Sequence, residues 1–567
     1  MGRLKILIER YPRVILTLAT LALLLPFIGK AFHMDDPLFV WAGRQMRSHP
    51  FNPYGFDVNW YGSVMPMAQV TRNPPLASGY IALLSSIFGE REFWLHIGFL
   101  AQALGAVLGT YALGRRFCKQ PFYAALATLV TPVFLVSSTT LMCDVLMLAL
   151  WVWATVWWLR ALDENKPLFF TLAGLLLGAC GLTKYFGVAL LPLLFAYSLF
   201  KTRRVGWWLI YFLIPIAIFA LYEWWTRSLY GRGLLLDAAI YARQKSSHQP
   251  LAFILELLKS VAFTGGCFVI VLIFTPFLWR PKVWLGGVVG VLLFLTITRS
   301  SLPLALHFQW GILIAGGIAV IALSVLDLRW QADAHSILLL LWVLGTLVFC
   351  LCNWTVNGRS LLPMTPAVAI LLWRRIENNA WTNKVRYAGF AFAATATISL
   401  LVTWADYQLA NTARTAVAEV RQMFGKSSPI WFQGHWGFQY YAEKQGLSAF
   451  DLRYSQIQPG ELMVIPRSNT NLVLIPSDIM KSVATSDEKY SSVRPSDLMV
   501  APRAYTRPVV IPAESIETVA TIHKLPCSWI TTMNSTVGAG FYSDPWGPFP
   551  FVFGPVPPEE YRIVRFK

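Results

Sequence analysis

Charge is what this 567-residue chain has little of: only 13% of its residues are Asp, Glu, Lys or Arg, against 56% hydrophobic, with a mean hydropathy of +0.52. A soluble domain carries about a quarter charged residues, so the composition excludes that class and marks a polytopic membrane protein. Acidic residues are the scarcer sign, 29 against 47 Lys and Arg, leaving a formal net charge of +18. That excess does not point to nucleic acid. It gathers in short clusters between apolar stretches, at Arg115, Arg116 and Lys119, at Lys201, Arg203 and Arg204, at Arg280 and Lys282, and at Arg374 and Arg375. This is the pattern of cytoplasmic loops beside anionic lipid headgroups, and no basic stripe or nucleic-acid motif accompanies it.

Other absences narrow the class further. The seven cysteines show no metal-ligand spacing, and most fall within or beside apolar stretches, where Cys serves as a small hydrophobe. Only Cys527 lies in the C-terminal region, which therefore has no internal disulfide. There is no internal repeat. The first apolar stretch, Val14 to Phe32, is too long for a cleaved signal and is followed by no small-residue cleavage pattern, so it reads as an uncleaved anchor. The basic residues before it, Arg3, Lys5, Arg10 and Arg13, hold that end in the cytoplasm.

What is present is a series of about 13 apolar segments of membrane-spanning length. They centre near residues 23, 103, 131, 152, 175, 192, 216, 269, 290, 314, 345, 367 and 395. An odd number of spans that starts inside puts everything after Trp404 outside. The expected fold is a polytopic α-helical membrane domain over 1–404, with long outer loops at 33–92 and 227–260, followed by an extracytoplasmic α/β domain over 405–567. Within that tail, Asp406 to Phe424 and His435 to Gln445 read as helices and Ile430 to Phe432 and Leu462 to Ile465 as strands; the rest is rich in Pro, Gly and Ser. Trp157, Trp158, Trp224 and Trp225 read as an interfacial belt.

The ionisable residues that border the spans are unevenly placed. His33, Asp35, Asp36, His96, Asp144, Lys184, Glu223, His307 and Arg359 all fall at expected outer ends, while span centres are nearly free of charge. A proton-coupled transporter places such groups near the midplane. The pair Asp35-Asp36, at the outer end of the first span, is the leading site candidate. Asp144 opens the fourth span, Lys184 lies in the tight turn between the fifth and sixth, and Arg359 precedes the twelfth. Acids and bases converging on one membrane face suit chemistry on a lipid phosphate: a carboxylate activates the acceptor while Lys and Arg hold the phosphate. Each residue also has a structural alternative. Asp35, Asp36 and Asp144 are placed to cap helices, Lys184 and Arg359 to reach toward headgroups, and His96 and His307 to pack at the interface. The tail aromatics Trp431, Phe432, Trp436, Phe438, Tyr440 and Tyr441 suit a domain core more than a glycan platform.

The run Asp35-Asp36-Pro37-Leu38-Phe39-Val40-Trp41-Ala42-Gly43-Arg44 resembles the first-loop motif of GT-C glycosyltransferases, especially protein O-mannosyltransferases and lipid A aminoarabinose transferases. Asn73-Pro74-Pro75-Leu76 is similar to the Pro-Pro-Leu segment of that superfamily. Asp144, Gly181-Leu182-Thr183-Lys184 and Arg359-Ser360-Leu361-Leu362-Pro363 follow in the order of its later acidic, Lys and Arg-Tyr-Leu-Leu-Pro elements. The chain departs from the pattern at His96, where many relatives carry Arg, at Ser360 in place of Tyr, and at Asp36 in place of a frequent Glu.

The resemblance implies a GT-C-like fold and transfer of a sugar from a polyprenyl-phosphate-linked donor to an acceptor lipid, glycan or protein, with inversion, at the outer face of a bacterial cytoplasmic membrane. Asp35 is then the base, with Asp36 beside it in the catalytic pair. Asp144, Lys184, Arg359, Arg44, His96 and Pro75 bind substrate. No cofactor is assigned; Asp36 and Asp144 also suit a divalent cation, and metal dependence varies among relatives. Two other function classes fit the composition: a glycolipid flippase or transporter, and a non-catalytic envelope assembly protein acting through its tail.

Overall fold

The computed structural model describes residues 2–243, 250–297, 303–353, 355–378, 384–425, 429–470, 472 and 516–567. Positions 244–249 of the second long loop and the tail stretch 473–515 lie outside the described residues. The chain forms two compact units. One comprises Met1–Tyr54, Thr71–Leu409 and Cys527–Val556; the other comprises Gly55–Val70, Ala410–Pro526 and Pro557–Lys567. The sequence reading places a single boundary at 404/405, whereas the chain visits each unit more than once.

The first unit is helical. Among the described residues, seven helices are long and apolar enough to cross a membrane: Glu92–Gly114, Asp144–Glu164, Tyr185–Thr202, Trp207–Tyr230, Leu304–Gln331, Ala334–Cys352 and Tyr387–Phe424. The number rises to nine if the bent pairs Pro121–Leu129 with Pro132–Ser138 (62°) and Phe253–Cys267 with Val269–Pro276 (79°) each count as one. Each of the thirteen expected centres lies in a helix or at such a bend, but thirteen full-length spans are not seen among the described residues. Proline is one reason. Pro132 starts a new helix in the middle of an apolar run, and Pro12 and Pro167 begin helices of 13 and 17 residues. At 1.5 Å per residue a 13-residue helix covers about 20 Å, short of a ~30 Å hydrocarbon core, and a hydropathy window does not register the break.

Large aromatics fill the helical core. Trp151, Trp158 and Trp342 are fully buried. Trp158 donates to Ser198 Oγ (2.8 Å) and packs on Phe170 and Phe212, while Trp342 donates to the Pro363 carbonyl (2.8 Å). Trp158 thus departs from the interfacial belt expected of it. Trp224 is two-thirds exposed.

Helices Pro250–Cys267 and Leu304–Gln331 cross with their backbones in contact. A Cβ on Gly265 would collide with the Leu313 carbonyl, and one on Gly317 with the Val261 carbonyl. This is close packing through small residues, as transmembrane helices use it.

The second unit is built on a five-stranded sheet in the order Ser448–Ala449, Ile430–Phe432, Leu462–Pro466, Glu559–Phe566, Ile516–Lys524; the first three run parallel and the last two pair antiparallel. Phe432, Phe438, Tyr440 and Tyr441 are buried here, the core role anticipated for them. The hairpin Asp57–Asn59 with Val64–Pro66, from the first long loop, belongs to this unit. Asp451 accepts from Val64 N (2.7 Å), and Asn59 donates to the Phe450 carbonyl (3.0 Å).

Replacing Gly317 by Ala should lower stability by about 2 kcal/mol, the scale of an overpacked core. The same change at Gly345, whose Cβ would meet nothing within 4 Å, should cost nothing. Unfolding of the purified protein in detergent compares the two, and equal midpoints would refute the close crossing.

Candidate active site

The first acidic pair sits on a tight turn. Met34 adopts φ +46°, a left-handed conformation unusual for a side chain of its size, and Asp36 N donates to the His33 carbonyl (3.0 Å). The helix Asp36–Ser48 starts here with Pro37 in its first turn, where a missing N–H costs nothing. Asp35 occupies the N-cap position, yet its side chain makes no capping bond. It points instead to Arg359, with Oδ2 3.3 Å from Nη2.

Asp36 is wholly buried and turned the other way. Its Oδ2 accepts from His33 N and its Oδ1 from Leu141 N, both at 2.8 Å. One carboxylate thus ties the first loop to the turn before Asp144. Burial pushes its carboxyl up to about 7, against the pull of these backbone donors and of Lys30.

Arg359 lies on the short helix Gly358–Leu361, whose start Asn357 caps by accepting from Ser360 N (2.9 Å). Its guanidinium bridges two acids, with Nη1 3.9 Å from Asp144 Oδ2 as well as Nη2 near Asp35, and it also contacts Met142 Sδ. Asp144, in the first turn of Asp144–Glu164, receives Lys184 Nζ on Oδ1 at 2.5 Å. Lys184 is held there because helix Pro167–Thr183 ends at it and the chain turns extended (φ −150°, ψ 133°). The result is a continuous row, Asp35, Arg359, Asp144, Lys184, in which two carboxylates balance two cations. Arg359 Nε and Asp144 Oδ2 are buried with no hydrogen-bond partner among the described residues, leaving polar capacity that a ligand can use.

Beside this row lies a second charged group. Lys30 and Asp406, both fully buried, pair at 2.5 Å. Lys30 also donates to Thr139 Oγ1 (3.1 Å), while Asp406 accepts from Thr532 Oγ1 (2.6 Å) and Tyr542 OH (2.8 Å). Tyr542 packs edge-on against His33 and lies 5.5 Å from the Arg359 guanidinium. Burial lowers His33 to about 4, so its ring is neutral.

The sequence reading nominates Asp35, Asp144, Lys184 and Arg359, and the fold brings these four together. It does not bring the remaining candidates into the row. Arg44 pairs with Glu90 through Nε and Nη2, the latter at 2.7 Å, with its side chain half-exposed. His96 is buried with Nε2 3.0 Å from the Lys30 carbonyl. Pro75 precedes helix Leu76–Phe88 as its N-cap, a backbone role. Sequence reasoning missed Lys30, Asp406 and Tyr542. A lysine at the end of an apolar run was a usable signal for the first; nothing local marks the tyrosine.

Residues 72–225 match the family described as dolichyl-phosphate-mannose-protein mannosyltransferase. No curated protein matches the chain. Among solved structures, it is similar to the oligosaccharyltransferase AglB of Archaeoglobus fulgidus, in complex with an inhibitory peptide and a dolichol-phosphate, at 14% identity and a TM-score of 0.48. That similarity covers 78% of this chain and 64% of the archaeal one, so the chain spans under two thirds of that enzyme's length. It is also similar to ArnT of Cupriavidus metallidurans bound to undecaprenyl phosphate (14% identity, TM-score 0.40, 84% and 95% coverage) and to the mycobacterial arabinofuranosyltransferase AftD (11%, 0.38, 81% and 35%).

The raised Asp36 carboxyl has a thermodynamic signature. The folded protein keeps a proton there that the unfolded chain releases above its ordinary value of 3.8. Stability from this group is therefore greatest below that value and is lost as pH rises through about 7. In Asp36→Asn, which cannot ionise, the fall in unfolding stability between these pH values should flatten; an unaltered slope would assign it to another group.

Proposed function

We propose that the chain is a GT-C-type membrane glycosyltransferase that moves a glycosyl group from a polyprenyl-phosphate-linked sugar to an acceptor hydroxyl, a reading supported by the family match over residues 72–225. The reaction takes place at the outer face of a bacterial cytoplasmic membrane. The observation that carries this reading is the row of alternating charges from Asp35 to Lys184, with Arg359 Nε left without a hydrogen-bond partner among the described residues. The matched family's description supplies the donor class.

The donor is a phosphodiester with one negative charge. When the acceptor oxygen attacks the anomeric carbon, the bond from that carbon to the phosphate oxygen breaks. The sugar inverts, and polyprenyl phosphate leaves with a second charge. The charge that grows in the transition state needs fixed cations. Arg359 and Lys184 provide them, and the guanidinium's planar fork suits phosphate oxygens. The leaving group needs no proton, so one base is enough. Asp35 takes the acceptor's proton. Its side chain is 31% exposed, whereas Asp36 is sealed and engaged by two backbone donors.

Before the donor arrives, Arg359 is shared between Asp35 and Asp144. An incoming phosphate competes for the guanidinium and releases Asp35 to accept a proton, coupling donor binding to activation of the base. No step here uses a metal. The acceptor, whether lipid, glycan or protein, is set by groups outside this row.

Asp35→Asn should reduce transfer by at least about 100-fold, the scale of a lost general base, with insertion and thermal stability kept. Mass spectrometry of envelope glycolipids and glycoproteins, from cells lacking the protein and complemented with either form, reads this directly. A sugar-bearing species restored equally by both forms would sink the assignment of the base. Arg359→Lys keeps the charge and loses the fork, so the apparent KM for donor should rise about tenfold, the loss of one charge-assisted contact.

A further inference from the structure

The segment Cys527–Val556 lies far along the chain from the acidic pair, yet it belongs to the helical unit and grips the residues that carry Arg359. Gly358 N donates to the Phe541 carbonyl (2.7 Å). A Cβ at Gly358 would come within 2.6 Å of the Phe541 ring, so only glycine lets the two strands of chain approach this closely. Two residues earlier the bonding is reciprocal: Val356 N donates to Asp544 Oδ1 (2.9 Å), and Asp544 N donates to the Val356 carbonyl (3.0 Å). Asp544 is itself fixed by Lys259 on its other oxygen (2.9 Å). Between these ties, the Tyr542 ring lies against the Arg359 guanidinium, and its hydroxyl is anchored on Asp406, which Lys30 and Thr532 hold in turn.

We propose that Cys527–Val556 is a clamp that sets the position of Arg359, with Tyr542 as its positioning residue, and so belongs to the donor-phosphate site. This deepens the glycosyltransfer reading and rests on it for the ligand. The physical logic has two parts. A guanidinium bridging two carboxylates across a polar mouth has several rotamers of similar energy, and an aromatic face on one side removes some of them while adding a cation–π attraction. The ring in turn is held only as firmly as its hydroxyl, which is why a buried acid, itself neutralised by a buried lysine, sits beneath it. Tyr542 touches no reacting atom. It acts through Arg359, and its contribution should disappear when Arg359 is gone.

The test uses the purified full-length protein in detergent with undecaprenyl phosphate as the probe, followed by equilibrium binding. Hydrogen exchange of the 355–361 backbone is measured in parallel. Tyr542→Leu, which loses both ring and hydroxyl, should weaken binding about tenfold, and Tyr542→Phe, which keeps the ring, about threefold. In an Arg359→Ala background, Tyr542→Leu should change binding less than about twofold, since the two act as one unit. Exchange at 355–361 should rise in Tyr542→Leu and in Asp544→Asn. Native-like binding by Tyr542→Leu, or effects that multiply with Arg359→Ala, would overturn the clamp. Failure of the native protein to bind undecaprenyl phosphate would instead overturn the donor reading. The exchange data then decide the clamp alone: faster exchange in the variants upholds it and unchanged exchange overturns it.

Discussion

Arg359 is a permanent positive charge that the fold removes from water, and much else about the site follows from that constraint. A guanidinium does not escape burial by losing its proton, so acids must come to it. Asp35 and Asp144 come from distant parts of the chain, and each needs its own support: Asp35 a turn strained at Met34, Asp144 a lysine placed where a helix stops. The site is therefore electroneutral before any substrate arrives. An anion entering such a place does not find bare positive charge; it displaces a carboxylate from one. Under the proposed function, selection for an anionic ligand and readiness of the Asp35 carboxylate become a single event.

The Lys30 and Asp406 pair does a different job at similar depth. Both side chains are sealed, and the pair contacts Thr139, Thr532, Tyr542 and the more distant His33. Buried ion pairs are a weak source of net stability, because desolvation offsets their attraction, but losing one partner costs about 3–5 kcal/mol. Such a pair defines where its neighbours sit. Here it fixes the floor on which Tyr542 rests, while Asp36, satisfied by two backbone amides, fixes the opposite wall.

The parts of this arrangement that could be seen in the sequence share a property: each is a charged residue at the edge of an apolar run, where burial without purpose is expensive. That signal marks Asp35, Asp144, Lys184 and Arg359, and it marks Lys30 equally. Asp406 was legible only as the start of an amphipathic helix, because nothing in one dimension reveals that helix Lys384–Phe424 runs on unbroken. Tyr542 and Phe541 lie among residues whose spacing has neither helical nor strand period, so their placement depends wholly on tertiary contact. The exact number of spans is not fixed by hydropathy for a related reason, since a window averages across breaks such as the one at Pro132. Arg44 belongs to a motif that the resemblance makes prominent, yet the side chain turns to Glu90, a choice set by the helix face and not by the motif.

The spacing of Lys30 and Asp406, 376 positions apart along the chain, has a meaning for biosynthesis. At about 5–20 residues per second, a ribosome takes roughly 20–75 s to deliver the partner after the lysine has been made. For that time the first apolar segment carries an uncompensated cation beside the lipid, and the tyrosine that completes the group is later still. A nascent or prematurely terminated chain thus inserts its helices while lacking a finished charge pair at their margin. Completion of translation is what neutralises it, so a half-made chain is distinguishable, by its exposed lysine, from a whole one.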